Sequence, residues 1–120
     1  MMQIDSLTVA IADRCKFDKV LPVEWQRAKR SGTPISLVLV DIDSFKRFSV
    51  EYGAAAGDEC LRRVAQKLHT VGKRAGDLVA HFGETEFALI LPEINQMGAM
   101  SLAESIRTAI AQLDIPHAHS

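Results

Sequence analysis

The chain has 120 residues, of which 48% are hydrophobic and 24% are charged, and its formal net charge is −1. This length predicts one domain over residues 1–120, with no room for a second. The near-zero charge gives no general attraction to nucleic acid or to an anionic membrane. No apolar stretch reaches the ~20 residues of a membrane span, and no signal-peptide pattern is visible, so we expect a cytoplasmic protein without membrane insertion. Cys15 and Cys60 lack metal-ligand spacing and are expected to be reduced, structural thiols.

A helix is predicted near the start of the chain, from about Arg14 to Arg30. Asp13 precedes it as an N-cap, and Gly32 and Pro34 follow it. Pro22 either kinks this helix or marks its true start. The residues that recur at helical spacing are Phe17, Val20, Leu21, Glu24 and Ala28.

The run from Ile35 to Asp43 organises the rest of the chain. It is an unbroken, β-branched apolar sequence, which predicts a strand buried on both faces. Alternation along the strand places its two final acids, Asp41 and Asp43, on the same side. Such a pair suits Mg²⁺ that bridges phosphates. The alternative is that Asp43 or Ser44 simply caps the helix that follows, and both interpretations stay open on these residues alone.

Further helices and strands are predicted after this run. They are a short helix from Ser44 to about Glu51, a helix near Asp58 to Val71, strands Asp77–Phe82 and Glu86–Leu91, and a helix from Asn95 or Gln96 to Leu113. The expected inner faces of the two longer helices are Leu61, Val64, Ala65 and Leu68, and Met100, Ala103, Ile106 and Ile110. The order predicts an α/β fold of the α+β sandwich type, a ferredoxin-like βαββα core behind an N-terminal helix. A ferredoxin-like sheet needs one more strand, so we expect the final strand and helix to be lacking.

Four blocks of sequence carry a family resemblance in colinear order. The blocks are Glu24-Trp25-Gln26-Arg27-Ala28-Lys29-Arg30 before Pro34, Leu39-Val40-Asp41-Ile42-Asp43-Ser44-Phe45-Lys46, Tyr52-Gly53 with Gly57-Asp58, and Phe82-Gly83-Glu84-Thr85-Glu86-Phe87 ending in Leu91-Pro92. Together they resemble the GGDEF domain of diguanylate cyclases. The resemblance implies a nucleotidyl-cyclase-palm fold in which two domains, each with GTP and Mg²⁺, condense the nucleotides into cyclic di-GMP.

The resemblance also assigns roles to individual residues. Asp41 and the backbone of Ile42 match the family's metal site, and Lys46 matches the basic residue of the same motif. Asp58 matches the acid that hydrogen-bonds guanine. Ser49 replaces the asparagine that helps to read the base, so only a remnant of that pocket is expected.

The signature hairpin departs from the family pattern of Gly-Gly-acid-Glu-Phe, since it reads Gly83, Glu84, Thr85, Glu86 and Phe87. Glu84 removes a glycine and adds a negative charge beside the triphosphate. At ~4 Å and an effective dielectric of ~20, that charge would cost about 4 kcal/mol. Thr85 replaces the acid that the family uses as a metal ligand, and a hydroxyl holds Mg²⁺ poorly. We therefore expect no intact catalytic site and a vestigial metal site.

Arg74 and Asp77 match a second site of the family. The Arg-x-x-Asp motif, five residues ahead of the first hairpin glycine, resembles its inhibitory site for cyclic di-GMP. Arginine can pair bidentately with phosphate or guanine, and aspartate accepts from guanine N–H groups. Ser105 stands where the last helix often adds an arginine, although Arg107 is near. The alternative is an ordinary ion pair that caps the turn before a strand.

The sequence thus predicts an inactive or nearly inactive GGDEF-type regulatory module in cyclic di-GMP signalling, with Arg74 and Asp77 as its ligand site. One alternative is a structural module that forms a homodimer or binds a protein partner through an unpaired strand edge at residues 35–41. A second alternative is a weakly active diguanylate cyclase with a metal site from Asp41 and Asp43. A cofactor is required only by the cyclase, where Mg²⁺ accompanies GTP.

Overall fold

The computed structural model describes residues 11–42, 50–72, 74, 76–83 and 85–112. The elements are helix α1 (Arg14–Ser31), strand β1 (Ile35–Asp41), helix α2 (Ala54–Val71), strands β2 (Leu78–Gly83) and β3 (Glu86–Pro92), and helix α3 (Gln96–Ala111). Residues 50–52 are also helical, while most of the short helix predicted from Ser44 lies outside the described residues. This βαββα core behind an N-terminal helix is the predicted fold class. None of the helices within the described ranges is long and apolar enough to cross a membrane.

The three strands form one antiparallel sheet in the order β1-β3-β2, so β3 is central. The prediction that β1 is buried on both faces is wrong. Its exposure alternates, with Leu37 47% and Leu39 58% exposed, whereas all five residues from Phe87 to Leu91 in β3 are fully buried. The strand also ends at Asp41 rather than Asp43. An apolar run has the same sequence pattern in an edge strand as in a central strand, because the neighbouring elements decide which of its faces are covered.

Helices cover both faces of the sheet. Helices α2 and α3 pack on one face, where the buried residues are Cys60, Val64, Ala65, Leu68, Val79, Phe87, Leu89, Leu91 and Ile106. Helix α1 packs on the other face, where the buried residues are Phe17, Ala80, Ala88 and Ile90. Alternate residues of β3 therefore belong to different cores, as the pleat of a central strand requires.

Helix α1 has the predicted cap at its start. The side chain of Asp13 accepts a hydrogen bond of 2.8 Å from the backbone N–H of Lys16. The helix continues through Pro22, which therefore does not mark its start. It ends at Gly32, whose φ of 68° is left-handed and favours glycine. The predicted inner face is confirmed, since Phe17 and Ala28 are buried and Val20, Leu21 and Glu24 are half-buried.

Helix α2 begins four residues before the predicted start at Asp58. Ala54, Ala55 and Ala56 form its first turn, and Gly57 lies inside the helix, where its N–H bonds the carbonyl of Gly53. Alanine is the strongest helix former, so three alanines outweigh the cost of one glycine. The predicted apolar face is confirmed, with Val64, Ala65 and Leu68 buried and Leu61 packed against them.

Helix α3 begins where the sequence predicts, because the side chain of Asn95 accepts a hydrogen bond of 2.9 Å from the N–H of Gly98. Ile106 is buried as expected. Met100 is 64% exposed, so its inward placement is wrong. It lies in the first half of the helix, which borders an open groove beside β1 instead of the closed core.

Both cysteines are free thiols, but only one has a structural role. Cys60 is buried in the core between α2 and the sheet, and this burial raises the pKa of its thiol. Cys15 is exposed on α1, so the expectation of a structural thiol is wrong there.

Candidate functional site

The hairpin between β2 and β3 meets the end of β1 at one edge of the sheet. The carbonyl of Thr85 accepts a hydrogen bond of 3.1 Å from the N–H of Ile42. Asp41 is exposed, and its partner across the strands is Glu86. The structure therefore brings together Asp41, Ile42, Thr85 and Glu86, four of the residues that the sequence singles out. Asp43 and Glu84 lie outside the described residues.

Few oxygen donors at this edge of the sheet could hold Mg²⁺. Mg²⁺ is commonly held by one or two carboxylates together with substrate phosphates. Asp41 and the carbonyl of Ile42 are the groups that would hold it here. The carboxylate of Glu86 instead lies against Gly83. It is so close that a Cβ added to Gly83 would collide with Oε1 of Glu86. In the part of the chain that the structure describes, no three His, Cys, Asp or Glu side chains are grouped to hold a metal ion.

The last residue of the hairpin signature belongs to the core. Phe87 is fully buried, and its ring lies 5.0 Å from that of His81, at an interplanar angle of 37°. Its side chain packs against the α2 and α3 face of the sheet. Phe87 therefore ties the hairpin to the fold and is not available to a nucleotide.

The residues predicted to read guanine are only partly described. Asp58 is exposed near the start of α2, next to the buried Gly57. Lys46 and Ser49 lie outside the described residues. The structure therefore places Asp58. That Asp58, Lys46 and Ser49 lie together in one guanine pocket stays a prediction.

Arg74 and Asp77 form one hydrogen-bonded unit at the start of β2. The carboxylate of Asp77 accepts from Nε of Arg74 at 3.3 Å, from Nη2 at 3.0 Å and from the backbone N–H of Arg74 at 3.2 Å. Gly76, with a φ of 98°, makes the turn that brings the two residues together. Nη2 also donates to the carbonyl of Pro92 at 2.6 Å. The hydrogen bond to Asp77 raises the pKa of Arg74, which therefore stays charged.

The two members of this unit differ in their access to solvent. The side chain of Asp77 is 2% exposed, whereas that of Arg74 is 48% exposed. A ligand could thus contact the outer edge of the guanidinium, with Asp77 and Pro92 holding it from behind. Arg107, the candidate additional arginine, pairs with Glu104 on the exposed side of α3.

Sequence reasoning missed two features of this part of the molecule. Arg14 of α1 binds the strand that leads into the hairpin, across 68 positions in the sequence, and no local pattern signals such a contact. The groove between β1 and α3, of about 590 Å³, is lined by Leu37, Leu39 and Met100. The exposure of Met100 could not be read from its helical spacing, which is that of a core residue.

The fold and the hairpin at its sheet edge define an α+β domain of the nucleotidyl-cyclase type. The family model "Diguanylate cyclase, GGDEF domain" matches residues 2–120. The chain belongs to the GGDEF family and is a diguanylate cyclase-like domain of cyclic di-GMP signalling.

Individual relatives agree with this assignment. Diguanylate cyclase DosC of Escherichia coli (strain K12) is 32% identical over 105 residues, which are 84% of this chain and 23% of that protein. The GGDEF domain of DgcB from Caulobacter crescentus, solved in complex with c-di-GMP, is 34% identical with a TM-score of 0.78, covering 82% of this chain and 57% of that one. Diguanylate cyclase SiaD from Pseudomonas aeruginosa, solved with its activator SiaC, is 28% identical with a TM-score of 0.77, covering 82% and 38%. The chain thus spans less than a quarter of the length of DosC.

Proposed function

We propose that this domain is a catalytically inactive or nearly inactive GGDEF module that binds cyclic di-GMP through Arg74. The observation that carries the proposal is the guanidinium of Arg74, which is half exposed and held by Asp77 and the carbonyl of Pro92. A guanidinium fixed in this way loses little conformational entropy when it pairs with a phosphate or a guanine edge. Asp77 acts as its support, because its own carboxylate is buried.

The hairpin supports the proposal of inactivity. Thr85 provides a hydroxyl where the family has an acid, and Asp41 and Glu86 are the acids that the described residues bring to this edge. A negative charge at Glu84 would further oppose a triphosphate. The receptor needs no cofactor, whereas any remaining GTP binding would involve Mg²⁺ at Asp41.

The similarity to DgcB also supports a ligand of this class, since that GGDEF domain was solved with c-di-GMP bound. We place the domain in the cytoplasm, in agreement with its two free thiols. We also propose that residues 1–120 form one domain.

Isothermal titration tests the proposal directly. We expect cyclic di-GMP to release or absorb heat on binding to the chain, and GTP with Mg²⁺ to give none. Arg74→Ala should weaken cyclic di-GMP binding at least tenfold, because a charge-assisted hydrogen bond to a ligand contributes about 1.5–3 kcal/mol. Arg74→Lys keeps the charge but loses the planar guanidinium. Its affinity for cyclic di-GMP should lie between that of the unaltered chain and that of Arg74→Ala.

Arg62→Ala is the matched control for this titration. Arg62 forms the same kind of pair three residues apart, with Glu59, on the surface of α2. This variant should bind cyclic di-GMP as the unaltered chain does. Binding of GTP, or formation of cyclic di-GMP from it, would establish a cyclase instead. If neither ligand binds, the proposal of a cyclic di-GMP receptor is wrong, and the role of a scaffold is left.

A second candidate function, a dimerisation or protein-interaction module, is favoured by the edge of β1. Within the described residues no strand pairs with the outer side of β1, and the side chains of Leu37 and Leu39 in this strand are exposed. Unpaired, apolar edges recruit other strands. The SiaD–SiaC complex shows that one relative of this fold does bind a protein.

The oligomeric state tests this second function. By multi-angle light scattering we expect a dimer that Leu39→Lys converts to a monomer, because the substitution puts a charge on the exposed edge strand. Met97→Lys on α3, where the side chain is 80% exposed, should leave the mass unchanged. A monomeric parent chain with fast amide exchange along Leu37 to Val40 would rule out self-association through this edge.

A further inference from the structure

Strand β2 contains a bulge directly before the signature hairpin. His81 pairs with Phe87 and Gly83 pairs with Glu86, so Phe82 has no partner in the register of β2 with β3. A bulge of this kind bends its strand and redirects the residues that follow, and bulges are frequent beside functional sites. The direction of the hairpin therefore depends on what holds Phe82.

Arg14, in the first turn of α1, holds this residue through both its backbone and its ring. Nη1 of Arg14 donates to the carbonyl of Phe82 at 2.7 Å, and the guanidinium carbon lies 4.0 Å from the centre of the Phe82 ring. Nε of Arg14 is bound to Asp18 at 3.0 Å, which orients the guanidinium. The ring of Phe82 also contacts the ring of Phe17, edge to face, with 5.3 Å between the two ring centres.

Ala12, in the segment that leads into α1, is also hydrogen-bonded to β2. Ala12 accepts a hydrogen bond of 2.8 Å from the N–H of His81 and donates one of 2.9 Å to the carbonyl of Val79, as a parallel bridge opposite Ala80. The backbone of Ala12 and the side chain of Arg14 therefore bind β2 at Val79, His81 and Phe82, up to the bulge.

We propose that Arg14 is a positioning residue for the signature hairpin. By occupying the carbonyl and the ring of the bulged Phe82, it makes the hairpin and the segment that enters α1 move as one unit. A displacement of that segment would release the bulge and change the direction of Gly83 and the residues after it. This role does not depend on whether a ligand binds at Arg74.

Amide hydrogen exchange, measured residue by residue by NMR, tests the proposal. In Arg14→Ala, we expect the amides of Gly83, Thr85 and Glu86 to exchange about tenfold faster, because a hydrogen bond from a charged donor and a cation–π contact are both lost. The amides of Val64 and Leu68 in α2 should exchange as before. Arg14→Lys, which keeps a charge but not the planar fork, should give a smaller increase.

Arg27→Ala is the matched control, since Arg27 lies on the same helix and also pairs with an acid of that helix, Glu24. It should not change the exchange of the hairpin. Equal hairpin exchange in the parent chain and Arg14→Ala would overturn the proposal. A uniform increase that includes α2 would also overturn it, because it would show a general loss of stability. If Arg14→Ala does not fold, Arg14→Lys decides the question by the same comparison.

Discussion

Replacing Phe87 by alanine should lower the free energy of unfolding by about 3–5 kcal/mol, the range for truncating a fully buried phenylalanine. Phe87 is 0% exposed in the central strand and contacts the ring of His81. The surrounding strand is paired on both sides, so the cavity cannot close by moving β3. The loss is a large fraction of the ~5–15 kcal/mol that stabilises a typical domain. Urea denaturation followed by circular dichroism would measure it.

Two further variants define the cause of this loss. Phe87→Leu keeps most of the volume and should cost less than about 1.5 kcal/mol. Met97→Ala removes a side chain that is 80% exposed and should change stability by no more than about 0.5 kcal/mol. A loss below about 1 kcal/mol for Phe87→Ala would contradict the placement of this signature residue in the core.

Arg74→Ala should lower stability more than Asp77→Ala, because the side chain of Asp77 is buried whereas that of Arg74 is half exposed. Removing Arg74 leaves a buried carboxylate that keeps, of its hydrogen bonds to described residues, the one from the backbone N–H of residue 74, and we expect a loss of about 2–3 kcal/mol. Removing Asp77 leaves a guanidinium that is half in water and still bound to Pro92, so about 1–2 kcal/mol should be lost.

A double-mutant cycle measures the interaction itself. The variant lacking both side chains should lose less stability than the sum of the single variants, by about 1 kcal/mol, because the exposed side of the pair is screened by solvent. Chemical denaturation of the four proteins gives this difference. Additive losses would mean that Asp77 does not hold Arg74, and that the guanidinium is not fixed in advance for a ligand.

The helix starts and the hairpin were predictable because near neighbours decide them. Asp13 and Asn95 cap their helices through N–H groups three residues away. The two apolar runs of β2 and β3, joined by Gly83-Glu84-Thr85, were sufficient to predict the hairpin. The start of α2 lies four residues before the predicted one, because Ala54, Ala55 and Ala56 are strong helix formers and the helix continues through Gly57.

The candidate site was predictable as a set of residues but not as a geometry. The Arg-x-x-Asp spacing singled out Arg74 and Asp77, yet only the packed turn shows that the acid is buried and the arginine exposed. The contact between Arg14 and Phe82 joins α1 to β2 across 68 positions, so no periodic pattern along the chain could reveal it.

The sequence by itself determined the family, the fold class, the order of helices and strands and the apolar faces of α1 and α2, since these depend on spacing, capping and motif identity along the chain. Only the tertiary structure decided that β3 rather than β1 is central, that Leu37, Leu39 and Met100 remain exposed, and which side of the Arg74 unit faces solvent. The physical reason is that burial is a property of neighbours in space. A strand or an ion pair is covered only by the elements that pack against it, and those elements are distant in sequence.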